Sequence, residues 1–335
     1  MKNKRIDVIA TTISGSIQDW GKVKHIVPLF ESHGFHNVTL YSVDTHAAVR
    51  EKTRECIEDG SRIIISAGGS GTFNSALEGC CDSGINLNDI MLGFLRKGSA
   101  DLIGKVLGMP DTIDDAINVF VDSINDNTTI KCDIIKAVSH ESGAKARNFV
   151  GYGGAEIFGE IPTYTENRFI KYYKGIFSQI FGDLGPFFIG ASLACMNRTL
   201  KSPFKRKRKW QIIVDGELVS EGAYQAMIIV NGDLGKDLPL ARSVPLGSGD
   251  FHLFTLKDIG LRKLLGQFKS TWNASVMDNP EKWGFEKFCI AKTLKLKSDN
   301  QKIFKVNIDG STMKCLGEVD FRLSNQINLI SAVQE

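Results

Sequence analysis

Ile63-Ile64-Ile65-Ser66-Ala67-Gly68-Gly69-Ser70-Gly71-Thr72-Phe73-Asn74 is the stretch that decides the fold. A β-branched apolar run suits a buried strand. It enters a glycine turn, and a helix-compatible segment follows from Phe73 to Cys81. Glycines let the backbone turn sharply and approach a ligand that a Cβ would keep away. Amides that open the following helix carry partial positive charge and suit a phosphate. An ordinary βα turn accounts for the glycine content equally well, so the flanking sequence has to decide.

Upstream, Ile6 to Thr12 reads as a strand, and Asp19 to Ser32 carries helical spacing through Val23, Ile26, Val27 and Phe30. Val38 to Val43 is a second strand and Thr45 to Glu58 a second helix, closed by Asp59-Gly60. A fourth strand, Ile90 to Leu95, follows the glycine turn and its helix. This alternation predicts a parallel sheet with helices on both faces. Ligands in such sheets bind beyond the carboxyl ends of the strands, where the glycine turn lies. After a helical segment ending near Asn125 the pattern changes. Thr129 to Val138, Arg147 to Gly151, Trp210 to Val219 across Asp215-Gly216, Ala226 to Val230, Phe251 to Leu256, and Ile303 to Leu316 across Asp309-Gly310 all read as strands. Helices are expected at Arg168 to Phe181 and Asp258 to Phe268. The expectation is an α/β domain over residues 1–126 and a mostly antiparallel β domain over 127–335.

With 335 residues the chain is long enough for two cores. Its 42% hydrophobic and 24% charged residues exclude global disorder. A net charge of +3 is too small to point to nucleic acid. Seven scattered cysteines without a C-x-x-C pair indicate neither a zinc site nor a disulfide framework. They suit reduced thiols in a cytoplasmic protein. The basic Met1 to Arg5 segment leads into a short apolar stretch that reads as a strand, and no segment approaches a spanning helix, so any membrane contact is expected to be peripheral.

The glycine stretch resembles the Gly-Gly-Asp-Gly-Thr signature, with Asn two residues on, of the diacylglycerol kinase catalytic family, which includes bacterial lipid kinases, sphingosine kinases and ceramide kinases. NAD kinases share the core motif. Gly98-Ser99-Ala100-Asp101-Leu102-Ile103-Gly104-Lys105 resembles a second family motif, with Ser99 for threonine, Asp101 for asparagine and Lys105 for arginine. Arg96-Lys97 precede it where the family has Pro-Leu. They read as a solvated loop, or one of them reaches a phosphate. Val230-Asn231-Gly232, Leu238-Pro239-Leu240-Ala241 running on to Gly247-Ser248-Gly249-Asp250, and Val306 to Ser311 resemble second-domain motifs of the same family.

The resemblance implies an ATP- and Mg²⁺-dependent kinase acting on a lipid hydroxyl, of a diacylglycerol or a sphingoid-type substrate, with the nucleotide held by the glycine loop between the domains. It assigns Gly68, Gly69, Gly71, Thr72, Asn74, Gly98, Ser99 and Lys105 to the nucleotide, Asp309 and Ser70 to catalysis, and Asp250 to the metal. Three positions that carry a carboxylate in the family are serine here, namely Ser70, Ser248 and Ser311. Serine hydrogen-bonds a phosphate but is a poor general base at neutral pH. A plain turn serine explains each one singly. Asp309, Asp101, Asp250 and Glu78 remain as candidate carboxylates, and a simple hairpin turn explains Asp309 as well as catalysis does.

The basic run Lys205 to Lys209 reads as a solvated face or as a contact with an anionic membrane, with Trp210 at the headgroup level. His25, His33, His36, His46, His140 and His252 show no ligand spacing. His252 is expected to be a partly exposed structural histidine. Phe187-Phe188-Ile189 could line a lipid slot or belong to the core. Two other readings stand beside the kinase: a nucleotide- or lipid-binding protein of the same fold with impaired catalysis, and an NAD kinase-like enzyme. Homodimerisation is left open by the sequence.

Overall fold

The computed structural model describes residues 4–11, 23–96, 102–140, 146–165, 190–196, 207–235 and 239–333. The chain forms two compact units, residues 1–134 with 325–335, and residues 135–324.

The first unit opens with β1 (Ile6–Thr11), α1 (Ile26–Ser32), β2 (Val38–Val43), α2 (His46–Glu58), β3 (Ile63–Gly68), α3 (Ser70–Asp82) and β4 (Met91–Arg96). Then come α4 (Leu102–Val106) and α5 (Ile113–Asp126). The strands lie in the order β2-β1-β3-β4, all parallel. Every residue of β1, β3 and β4 is buried, as a strand covered on both faces requires, whereas the edge strand β2 is not buried. Phe30 and Phe120 pack on each other at 6.5 Å, and Phe73 and Phe94 at 4.8 Å, so α1, α5 and α3 are anchored by aromatic contacts. Thr45 caps α2 by accepting from the Ala48 N–H, and Thr112 caps α5 by accepting from Asp115.

The second unit begins within β5 (Ile130–Ser139) and continues through β6 (Arg147–Phe149), β7 (Tyr152–Glu156), α6 (Ile157–Thr165), β8 (Trp210–Val214), β9 (Glu217–Gly222), β10 (Tyr224–Val230) and β11 (Phe251–Lys257). After α7 (Leu261–Trp272) and α8 (Pro280–Trp283) come β12 (Phe285–Ile290), β13 (Thr293–Ser298), β14 (Ile303–Ile308), β15 (Ser311–Leu316) and β16 (Glu318–Leu329). Six of these strands form an antiparallel sheet, in the order β12-β11-β10-β7-β14-β15. β13 pairs antiparallel with β8 and with the first half of β16. The core of this unit gathers Phe149, Trp210, Tyr224, Phe251, Leu294, Val306 and Phe321 among others. The end of β16 returns to the first unit, where Asn328 and Leu329 run parallel to Met91 and Leu92 of β4.

The α/β and antiparallel β classes expected from the sequence are both present. Local boundaries shift for physical reasons. The helix expected over Asp258 to Phe268 begins only at Leu261, because Gly260 takes φ +102° and the Asp258 carboxylate accepts its N–H. The expected helix Arg168 to Phe181, and Phe187 to Ile189, lie outside the described residues. Among the described residues, no helix is long and apolar enough to cross a membrane.

Candidate functional site

The turn after β3 is tighter than the sequence suggests. α3 starts at Ser70 rather than Phe73, and Gly69 alone separates it from the strand. Gly69 is extended, at φ −95° and ψ −177°, and its carbonyl accepts the N–H groups of Thr72 and Phe73 at 2.9 and 3.1 Å. Gly68, Gly69 and Gly71 all keep negative φ, so handedness is not what calls for glycine here. Space is the reason at Gly71. A Cβ there would lie 2.8 Å from Cε1 of His46, which opens α2 directly after β2. The imidazole of His46 is thus seated against the turn. Sequence reasoning missed it, because it searched histidines only for metal-ligand spacing. The signal was positional, since His46 follows a strand of the same parallel sheet.

Gly69, Ser70 and Gly71 are partly exposed, whereas Thr72 and Asn74 are buried. The Thr72 Oγ1 shares a hydrogen bond of 2.9 Å with Oγ1 of Thr11 at the end of β1, which ties the start of α3 to the neighbouring strand. The helix has no side-chain cap and no acidic residue in its first turn. The N-terminal dipole of such a helix suits a phosphate. Glu78 lies deeper in α3, buried 3.7 Å from Arg50, whose guanidinium also pairs with Asp82.

Arg96 does not lie in a solvated loop, as one reading of the sequence has it. It is buried, packs against Gly104, donates to the Met109 carbonyl at 3.0 Å and pairs with Asp111 at 3.1 Å. It braces the chain after α4. Lys105 is half-buried in the last turn of that helix. Lys97, Gly98, Ser99 and Asp101 lie outside the described residues.

In the second unit, Asp309 sits at the β14–β15 turn with φ +43°. It is buried, and its carboxylate accepts the N–H groups of Val150, Gly151 and Tyr152 at 3.1, 3.2 and 2.8 Å. Asn231 reaches the same β6–β7 turn, donating to the Val150 carbonyl at 2.8 Å. Two segments singled out from sequence thus converge on one turn. Burial pushes the Asp309 carboxyl up to about 6, against the opposing pull of the three N–H donors. Ser311 donates to the Ile308 carbonyl and accepts from Arg147, so its hydroxyl is engaged within the turn.

Asp250 belongs to a different set of contacts. Ser248 donates to it at 2.6 Å and the Cys289 thiol at 3.2 Å. Desolvation raises its carboxyl, but these hydrogen bonds outweigh it and hold the group below its ordinary value. Its neighbours His252 and Cys289 make the donor set one of oxygen, nitrogen and sulfur. Mg²⁺ takes oxygen ligands, so this set as a whole does not fit that ion. His252 is buried, contrary to the partly exposed histidine expected.

Trp210 also corrects its expectation. It is fully buried, meets Phe304 edge-on at 4.8 Å and donates its indole N–H to Glu156 at 2.7 Å. A side chain enclosed in this way is core and does not sit at a headgroup level. Of the basic run, Lys207 pairs with Asp258 at 2.9 Å and Arg208 lies over the Trp210 and Phe304 rings. Lys205 and Arg206 lie outside the described residues.

Residues 5–137 match the model of the diacylglycerol kinase catalytic domain. No curated protein matches the chain. Among solved structures, a diacylglycerol kinase from Bacillus anthracis str. Sterne is similar with a TM-score of 0.65 and 16% identity, over 99% of this chain and 98% of that one. A proposed diacylglycerol kinase from the same organism is similar with a TM-score of 0.70 and 17% identity, again over 99% and 98%. At such identities the likeness speaks for the fold, and it extends over both units. The match in sequence falls on the parallel sheet and its glycine turn, so over residues 5–137 the chain is similar to the diacylglycerol kinase catalytic domain family.

Proposed function

We propose that the chain is an ATP-dependent kinase that phosphorylates a hydroxyl of a lipid, of the diacylglycerol or sphingoid type. The observation that carries this reading is the glycine turn at the N-terminus of α3, opening one residue beyond β3 within the family-matched residues. Bound ATP would supply the transferable γ-phosphoryl group, with Mg²⁺ riding on its phosphates. The amides of Gly69, Ser70 and Gly71 offer the phosphates a cradle, and the Ser70 hydroxyl can donate to them. The Thr11–Thr72 hydrogen bond keeps the cradle in register with β1. His46, held against Gly71, adds a donor at the rim. Lys105, Gly98 and Ser99 join this role by resemblance alone. Phosphoryl transfer rests mainly on positioning and charge neutralisation. Serine at position 70 therefore slows turnover without removing the site.

The second reading, a binding protein with impaired catalysis, is favoured by Ser248 and Ser311. Both hydroxyls are spent on neighbouring protein atoms.

Calorimetric titration with ATP and Mg²⁺ tests the location of the site. His46→Ala and Gly71→Ala are each expected to weaken binding by about tenfold, the scale of one charge-assisted or well-placed hydrogen bond. Gly71→Ala acts by displacing the exposed His46 ring, so the fold should persist. Undiminished binding by both variants would place the nucleotide elsewhere, and absence of ATP binding by the native chain would overturn the reading.

A further inference from the structure

We propose that the second unit carries a binding site for a divalent transition metal, Zn²⁺ by preference, formed by Asp250, His252 and Cys289. Asp250 immediately precedes β11 and His252 is its second residue, two positions on, the spacing that places side chains on one face of an extended chain. Cys289 of β12 stands directly opposite His252 in the strand register. One carboxylate oxygen, one imidazole nitrogen and the sulfur all lie within 4.8 Å of one another. His252 is only 5% exposed, yet its Nδ1 has no hydrogen-bond partner. A buried nitrogen left without a partner is costly, and a ligand is the simplest way to satisfy it. Its ring stacks on Phe254, which fixes its orientation on that face.

The donor chemistry selects the ion. Thiolate with imidazole suits zinc and its neighbours, and a single carboxylate completes a three-residue set with one position left for water. A tetrahedral ion holds such donors roughly 3.3–3.8 Å apart, so the widest pair has to close by about 1 Å. Asp250 is partly exposed and Cys289 is exposed, so the ion has a route in and the ligands have freedom to adjust. Ser248, donating to Asp250, fixes the orientation of that ligand. The thiol proton now directed at Asp250 is released to solvent when the sulfur takes the metal. The cluster escapes motif searches because its members sit 39 positions apart at the extreme and meet only through strand register.

Titration of the reduced, metal-free full chain with Co²⁺ tests the site. A thiolate-to-cobalt charge-transfer band should saturate at about one equivalent and be displaced by Zn²⁺. Cys289→Ser, at an exposed position where the fold is not at risk, should abolish the band, whereas Cys81→Ser should keep it. His252→Gln should weaken Zn²⁺ in a chelator competition by roughly tenfold or more. A band that survives Cys289→Ser, the lack of any saturable band, or displacement by excess Mg²⁺ would overturn the assignment. The assay reads the metal and not turnover, so its outcome is separate from that of the kinase reading.

Discussion

Asp309→Ala is expected to lower the unfolding free energy by about 4 kcal/mol, enough to unfold a marginally stable chain. The carboxylate is the acceptor for three backbone N–H groups of the β6–β7 turn, and its removal leaves that turn without its anchor. Each buried donor that loses its acceptor costs about 1–3 kcal/mol, partly offset by the removal of a desolvated charge. Alanine at φ +43° adds strain of about 1 kcal/mol. Asp309→Gly relieves that strain but restores no acceptor, so it should recover only about 1 kcal/mol in denaturant titration. The pH dependence follows from the same burial. Because the folded carboxyl sits near 6 and the ordinary value is 3.8, the folded chain holds this proton more tightly than the unfolded one. The Asp309 contribution to stability is therefore full below 3.8 and is lost as pH rises through about 6. Unfolding curves at about pH 4 and about pH 7 should show that decline in the native chain and lose it in Asp309→Asn. A loss of turnover in Asp309→Ala without a folding measurement thus says nothing about catalysis.

Gly154→Ala is expected to be as damaging, by a different route. β7 lies between β10 and β14 in the six-stranded sheet, and Gly154 takes φ +152° there. A Cβ would fall 2.1 Å from the Met227 carbonyl oxygen and 2.9 Å from the Phe158 ring. The nearer obstacle is backbone on a paired strand, so relief requires breaking the Gly154–Ile228 pairing. We expect a loss of about 3–5 kcal/mol or failure to fold, with exposure of the apolar core and aggregation. Gly216→Ala is the control. Its φ is +93° but nothing lies within 4 Å of its Cβ, so only about 1 kcal/mol of strain should appear in the same titration. Equal effects of the two variants would show that backbone conformation, and not the close approach of β10, sets the requirement.

The first unit was legible because its strands are continuous apolar runs. Ile6 to Thr11, Ile63 to Gly68 and Met91 to Arg96 are buried on both faces, and burial of that kind writes itself into composition. The hairpins across Asp215-Gly216 and Asp309-Gly310 were legible for their turn chemistry. β12 and β13 are less legible, because each is short, carries Lys or Glu among its apolar residues and is half-exposed. β16 is polar over much of its length, and its return to the first unit is a matter of topology that no local pattern encodes. Trp210 was misread for a similar reason. The basic residues before it are visible in sequence, but its partners Glu156 and Phe304 are distant in the chain. The glycine turn was located correctly, but the reason for Gly71 lay in His46, brought there from the end of another strand.

The kinase reading is tested most directly by transfer of labelled phosphate from γ-labelled ATP, with Mg²⁺, to a panel of diacylglycerol, sphingosine, ceramide, monoacylglycerol and NAD. The native chain is compared with Ser70→Asp, which restores the acidic residue of the family motif. The account predicts label in one lipid of the panel, a higher rate in Ser70→Asp, and none in NAD. Label in no lipid with either chain, while ATP still binds, would contradict it and leave a nucleotide-binding protein of the same fold.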